Sequence, residues 1–339
     1  MPIVNIPLTL LLAGLGSWAL TGMIRTLALR AGMLDIPGPR SSHQNPTPRG
    51  GGLSVVVVLL GASPWLVAHL LTPAPFSQAI LWGGGLVALV GFVDDYRGLP
   101  ALIRLLVHLA ASGVGLLLCG LLTPSLWPLP LWLAAPILTI GLAWSINLFN
   151  FMDGIDSLAA SEAIFISCGA ALILWINDGS VGNNGYIAWL LLLAATTTGF
   201  LLWNLPPARI FMGDTCSGFL GFCLGFLSLI TSAQCAISLW SWLILGAIFL
   251  TDATGTLFFR IIRGEQLHTA HRGHAYQILA HRYGSHARVC LLALLVNCFW
   301  LLPLALAATL RPALGLFCAV AAVLPLGWLV VSLNRHRTT

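Results

Sequence analysis

The stretch Leu131-Trp132-Leu133-Ala134-Ala135-Pro136-Ile137-Leu138-Thr139-Ile140-Gly141-Leu142-Ala143-Trp144-Ser145-Ile146-Asn147-Leu148-Phe149-Asn150-Phe151-Met152-Asp153-Gly154-Ile155-Asp156 decides the fold of this chain. From 131 to 149 it is almost wholly apolar, close to the ~20 residues with which an α-helix crosses a bilayer. It closes on Asn147, Asn150, Asp153 and Asp156, spaced so that a helix would hold them along one side. Lipid penalises such a stripe, so it marks either a site or a polar network between helices. The amides and carboxylates suit a nucleobase and ribose, or a metal ion. If Gly154 ends the helix, the stripe becomes a loop cluster.

The rest of the chain has the same character. Of its 339 residues 58% are hydrophobic and 7% charged, with a mean hydropathy of +0.94. Soluble domains run near a quarter charged, so the expected class is an all-α polytopic integral membrane protein, one domain over residues 1–339. Lysine is absent, and fifteen arginines carry the net charge of +5. They sit in short connections between apolar runs, with no basic stretch long enough to track a nucleic-acid backbone, so no nucleic-acid partner is expected. The eight cysteines are scattered without CxxC spacing, as reduced packing residues are. No internal repeat or separate soluble domain is visible.

Eleven candidate spans follow: 6–24, 52–72, 77–93, 101–122, 131–149, 158–176, 186–204, 215–231, 236–259, 289–309 and 312–333. One set of connections then holds fourteen arginines and the other only Arg311. By the positive-inside rule the first set is cytoplasmic. No positive charge precedes residues 6–24, and Arg25 and Arg30 follow them, so they read as a retained first span with its N-terminus outside. The cytoplasmic connections are about 25–51, 94–100, 150–157, 205–214 and 260–288. Asp94, Asp95, Asp153, Asp156 and Asp214 all fall there, although the alternation was fixed by arginine alone. Five carboxylates at one face, with arginines among them, suit a divalent metal and a phosphorylated substrate.

Each connection has its own chemistry. In the first, Pro46-Thr47-Pro48-Arg49-Gly50-Gly51-Gly52 offers backbone N–H groups and Arg49 to a phosphate, or is a turn-rich connector whose glycines pack the next helix. Gly91-Phe92-Val93-Asp94-Asp95 ends with two acids, followed by Arg97 and Arg104. The acids suit a shared metal, or a pair in which one acts as base and a cation holds the other; helix capping asks for only one. Asn204 to Asp214 closes on Phe211-Met212-Gly213-Asp214: Gly213 permits a tight turn, Phe211 can stack on a base, and Asp214 suits a hard cation or a helix N-cap. Gly218, Gly221 and Gly225 behind it read as close helix packing. The last connection holds His268, His271, His274, His281 and His286 among five arginines. Zinc at His268, His271 and His274 is one option; an anion-binding lid is the other. Asp252 is either a helix–helix hydrogen bond or part of the site.

In order and spacing, these motifs resemble the polyprenyl-phosphate N-acetylhexosamine-1-phosphate transferases (glycosyltransferase family 4). The matching segments are Pro46 to Gly51, Gly91 to Asp95, Asn147 to Ala159, Asn204, and Phe211 to Asp214. The resemblance implies a bundle of about eleven spans with a cytoplasmic active-site groove, in a bacterial inner membrane. It implies an Mg²⁺-dependent enzyme, Mn²⁺ substituting. Such an enzyme moves an N-acetylhexosamine 1-phosphate from a UDP-sugar to undecaprenyl phosphate and releases UMP. The implied catalytic residues are Asp94, Asp95, Asp153 and Asp156, with Asp214 and Asp153 as metal ligands. Arg49, Arg104, Asn147, Asn150, Asn204, Phe211, Arg272 and His274 are the implied substrate-binding residues. His271-Arg272-Gly273-His274-Ala275-Tyr276-Gln277 stands where the muropeptide branch has adjacent histidines. It is nearer the O-antigen-initiating branch, which includes users of 6-deoxy sugars. A homodimer is compatible with this reading. The competing class, an ion-coupled transporter, needs ionisable residues near mid-membrane at broken helices.

Overall fold

The protein is described from a computed structural model covering residues 6–38, 45–69, 73–123, 126–177, 184–234, 237–265 and 272–335. In an apolar medium every backbone N–H and C=O must be satisfied within the segment, which leaves the helix as the solution for these runs. In chain order the helices are α1 (Ile6–Arg30), α2 (Leu53–His69), α3 (Ala74–Arg97), α4 (Ala101–Leu118), α5 (Leu131–Met152), α6 (Leu158–Asn177) and α7 (Asn184–Asn204). There follow α8 (Asp214–Gln234), α9 (Leu239–Leu245), α10 (Ala247–Ile262), α11 (Ala275–Tyr283), α12 (His286–Leu310) and α13 (Pro312–Arg335). The two-residue strands β1 (Leu34–Asp35) and β2 (Thr47–Pro48) pair antiparallel, Leu34 opposite Pro48 and Asp35 opposite Thr47.

Among the described residues nine helices are long and apolar enough to cross a membrane. The other two expected spans differ. The 236–259 run is not one rod: α9 and α10 meet at Gly246 with a bend of 76°. The 52–72 run contains α2, which is 17 residues long, and residues 70–72 lie outside the described set.

The central element is α8, flanked by α2, α3, α4, α5 and α6. Its glycine row works as its spacing suggests. A Cβ at Gly221 would stand 2.5 Å from the Ser145 carbonyl oxygen, and one at Gly225 2.8 Å from Ser145 Oγ. The closeness lets Ser145 Oγ donate to the Gly221 carbonyl (2.8 Å), joining α5 to α8. Inside the bundle Glu162 of α6 is buried, and Asn297 of α12 donates to its Oε2 (2.6 Å).

Two expected boundaries move. Asp94 and Asp95 lie within the last turns of α3, which runs on to Arg97 and stops where Gly98 takes a left-handed φ of 68°. The polar stripe is divided: α5 ends at Met152 with Asp153 as its C-cap, so Asn147 and Asn150 are helical while Asp153 and Asp156 occupy a loop. The 260–288 connection contains the nine-residue helix α11.

Candidate active site

The site forms where α3, α5, α8 and α12 end or begin together. Asp95 shows how the corner is built. Its Oδ1 accepts from Asp214 N (2.9 Å), and its Oδ2 from Thr215 N (3.0 Å) and Thr215 Oγ1 (2.8 Å). The first N–H groups of a helix have no partner within it; here a carboxylate from another helix satisfies two of them. Gly213 precedes the corner with φ of 83°, and a Cβ there would lie 2.7 Å from Asp95 Oδ2, so glycine serves both turn and contact.

Asp94 faces elsewhere. It accepts from Leu99 N (2.5 Å) and from an Arg104 guanidinium nitrogen (2.6 Å), and the same nitrogen reaches Asp214 Oδ2 at 3.0 Å. Arg104 therefore bridges two helices through two carboxylates, Asp94 nearly buried and Asp214 one-third exposed.

The first connection is spent differently from one sequence option. Gly51 N and Gly52 N donate to the carbonyls of Phe211 (2.9 Å) and Met212 (3.0 Å), and Phe211 N donates to the Pro48 carbonyl (2.8 Å). A Cβ at Gly52 would come within 2.2 Å of Cys216 Cβ. These N–H groups hold the connection against the start of α8 and are not offered to a phosphate. Asn204 is also engaged internally. Its Oδ1 accepts from Ser157 N (2.8 Å), and its Nδ2 donates to the Ile210 carbonyl (3.0 Å). It fixes Ser157, whose φ is 67°.

A cavity of about 290 Å³ is lined by Arg49, Asp95, Asp153, Asp156, Asn204, Phe211 and Asp214, together with Asp35, Gln277 and His286. Beside it lies a larger one of about 990 Å³, which shares Asp156, Phe211, Gln277 and His286 as walls and adds Arg272. On the other side of Asp214 a small pocket of about 20 Å³ holds Arg104, Asn147 and Asn150. The structure thus gathers all but two of the expected residues around adjoining spaces. Asp94 joins them through Arg104. His274 does not join them: it is buried, with Nδ1 3.2 Å from Asp252 Oδ1 and its ring against Phe151 and Tyr276. His268 and His271, the other members of the zinc option, lie outside the described residues.

Asp252, ambiguous in sequence, is a helix–helix tie. It accepts from Ala275 N (2.9 Å), Tyr276 N (3.0 Å) and Thr256 Oγ1 (3.1 Å), capping α11 from α10. The α11 helix is fixed over the site by Tyr276, whose hydroxyl donates to the Phe151 carbonyl (3.0 Å). That hydroxyl fills the space beside Gly154, where a Cβ would meet it at 2.0 Å. Gly154→Ala is expected to push α11 away and cut activity. Gly154→Ala/Tyr276→Phe removes the clashing oxygen and should recover part of the loss; no recovery in a transfer assay would disprove the clash.

Asp35 and Gln277 were given no role in sequence, and His286 only a place among the histidines of the last connection. His286 stands after Gly284-Ser285 at the start of α12, which the Ser285 side chain caps through Arg288 N (3.4 Å).

Asp153 is the most perturbed carboxyl outside the spans. Burial, and then the charges of Asp214, Asp95 and Asp156, push it well above its ordinary 3.8. Among the described residues no three His, Cys, Asp or Glu side chains converge on one preformed cation position. Mg²⁺ is commonly held by one or two carboxylates plus substrate phosphates, and the repulsion around Asp153 is what such an ion would relieve, so Asp153 and Asp214 fit that mode.

Fold and site together define a membrane-embedded class: an apolar helical bundle with a carboxylate-lined crevice at one end. Residues 77–232 match the sequence profile described as Glycosyl transferase family 4. A phospho-N-acetylmuramoyl-pentapeptide-transferase of Synechococcus sp. (strain RCC307) is 34% identical over 75% of this chain and 73% of its own length. A probable undecaprenyl-phosphate N-acetylglucosaminyl 1-phosphate transferase of Bacillus subtilis (strain 168) is 27% identical over 77% and 73%. A decaprenyl-phosphate N-acetylglucosaminephosphotransferase of Mycolicibacterium smegmatis is 31% identical over 67% of this chain and 60% of its own length. The chain belongs to glycosyltransferase family 4, within the polyprenyl-phosphate hexosamine-1-phosphate transferase superfamily.

Proposed function

We propose that this protein transfers an N-acetylhexosamine 1-phosphate, a 6-deoxy sugar included, from a UDP-sugar to undecaprenyl phosphate. The product would begin a lipid-linked surface polysaccharide such as O-antigen. The observation that carries the reading is the Arg104 bridge between Asp94 and Asp214 (2.6 and 3.0 Å), in which Asp214 separates Arg104 from a carboxylate-lined cavity that adjoins one of about 990 Å³. An arginine fork suits a phosphate, and the larger space suits a nucleotide sugar. In this assignment an oxygen of the lipid phosphate attacks the donor's β-phosphorus, the bond to the bridging oxygen breaks, and UMP leaves. A phosphate monoester is largely ionised near neutral pH, so direct attack needs no strong base. The geometry supports Asp94 as the residue that holds Arg104 in place. Asp214 and Asp153 would hold Mg²⁺, or Mn²⁺ in its stead, and the ion would neutralise diphosphate charge. The arginine bias supports a cytoplasmic site in a bacterial inner membrane, with the N-terminus outside.

The transporter reading needs charge at the broken helix. The bend at Gly246 is walled instead by apolar side chains including Ile166, Trp242 and Phe249.

The test is UMP release by purified protein in detergent, given undecaprenyl phosphate, Mg²⁺ and a panel of UDP-N-acetylhexosamines. Release with one donor, dependent on the lipid, supports the proposal; folded protein that releases none from any donor refutes it.

A pH prediction follows from Asp153. With its pKa above the unfolded 3.8, folded protein binds more protons than unfolded protein between those values. The Asp153 contribution to metal-free stability is therefore greatest at low pH and is lost as pH rises through the raised pKa. Mg²⁺ at neutral pH should restore it. A thermal-shift series with and without Mg²⁺, beside Asp153→Asn, checks this; the variant should show a weaker pH dependence than the wild type, and a variant whose profile matches the wild type would contradict the assignment.

A further inference from the structure

We infer that His286, seconded by Cys290, is a positioning residue that aims the Asp156 carboxylate at the neck between the two cavities. This rests on the functional reading above and adds to it a residue outside the carboxylate–arginine set.

The loop after α5 cannot hold its own shape. Asp153 to Ser157 lies between two helices, and Ser157 has a left-handed backbone, so outside contacts must fix it. One grip comes from α7: Asn204 holds Ser157, with Ser157 N donating to Oδ1 (2.8 Å) and Ser157 Oγ to the Asn204 carbonyl (3.3 Å). The other comes from α12. His286 Nδ1 lies 3.3 Å from Asp156 N and 3.3 Å from Asp156 Oδ2, while Cys290 Sγ donates to the Asp156 carbonyl oxygen (3.2 Å). Residues four apart on a helix share a face, so one face of α12 takes hold of the main chain and side chain of a single residue.

The grip also gives the carboxylate a direction. Ala208 N donates to Oδ2 (3.1 Å), the oxygen that faces His286. Among the described residues both contacts fall on Oδ2, so Oδ1 is the oxygen presented to a ligand. Asp156 and His286 both line both cavities. His286 is 16% exposed and Asp156 10%, which leaves each a small open edge. An uncharged hydrogen-bonding group of a nucleotide or its ribose suits such an oxygen better than a phosphate, which a carboxylate repels. Asp156 thus belongs to the recognition of the donor, and His286 acts through it.

The experiment uses the full-length protein in detergent, with UDP as the binding probe and the active UDP-sugar for kinetics. His286→Ala should weaken UDP binding and raise the donor KM about tenfold, the scale of one hydrogen bond to a charged group. The KM for undecaprenyl phosphate should stay unchanged. His286→Asn, whose side-chain amide keeps a hydrogen-bonding group within reach of Asp156 N, should recover most of the loss. The double variant His286→Ala/Asp156→Asn should be no worse than Asp156→Asn alone, since both changes remove one arrangement. Should His286→Ala fail to fold, His286→Phe keeps the ring volume without the nitrogens and must show the same KM shift. Unchanged UDP binding and donor KM in the folded variant, or simple additivity in the double variant, would overturn the inference. Wild-type protein that neither binds UDP nor releases UMP would strike the functional reading instead.

Discussion

Asp214→Asn is expected to lower transfer by about 10²–10³-fold or more, on the scale of losing one preorganised electrostatic group, while the protein keeps its thermal midpoint within a few degrees. The separation of activity from stability follows from who caps α8. The carboxylate that satisfies its first N–H groups belongs to Asp95, through Asp214 N and Thr215 N. The Asp214 side chain meets Arg104, and Arg104 retains Asp94 in the variant. Neutralising Asp214 also removes one of the charges crowding Asp153. The variant should therefore be folded, inactive and less responsive to Mg²⁺. UMP release and thermal midpoint measured on one preparation decide the matter; a variant that unfolds would make Asp214 an architectural residue.

Gly91→Ala should do the opposite and lose stability and activity together. A Cβ at Gly91 would lie 2.4 Å from the Asp214 carbonyl oxygen, 2.5 Å from its carbon and 2.6 Å from Thr215 N. All three are main-chain atoms, so no rotamer change can make room, and α3 must separate from α8. Overpacking of this kind costs about 1–3 kcal/mol. The separation also draws Asp95 from the N–H groups it caps, and each buried donor left unpaired costs about 1–3 kcal/mol. A drop of several kcal/mol is the expected result, read by denaturation in detergent. Asp95→Ala, which removes the cap without the clash, should move the same way by less. A stable, active Gly91→Ala would mean that the contact between α3 and α8 yields far more easily than two close-packed backbones do.

The two variants divide what the sequence discloses from what it conceals. The helical bundle was legible because a membrane span needs a long apolar run, and the gathering of acids at one end was legible because arginine asymmetry orders the spans. Roles within the acid set were not. Asp94 and Asp95 are neighbours in sequence, but successive residues on a helix point about 100° apart, so one meets Arg104 and the other the start of α8. The partner of Asp95 is 120 positions away and leaves no local pattern. Asn204 was legible as an amide of the site, and it does line the cavity, but its hold on loop backbone on two sides was not legible. Asp252 became readable only when α11 was seen to begin on it. The bend at Gly246 was hidden because a glycine amid apolar residues suits a straight span and a broken one equally.

The pairing of Gly51 and Gly52 with Phe211 and Met212 bears on biogenesis. A chain inserted from its N-terminus presents those glycines to the translocation machinery long before their carbonyl partners are synthesised. Asp156 likewise waits for His286 and Cys290, 130 and 134 positions later. The crevice therefore closes only near the end of translation, and chains that stall before α12 should reach the membrane as helices without a competent centre.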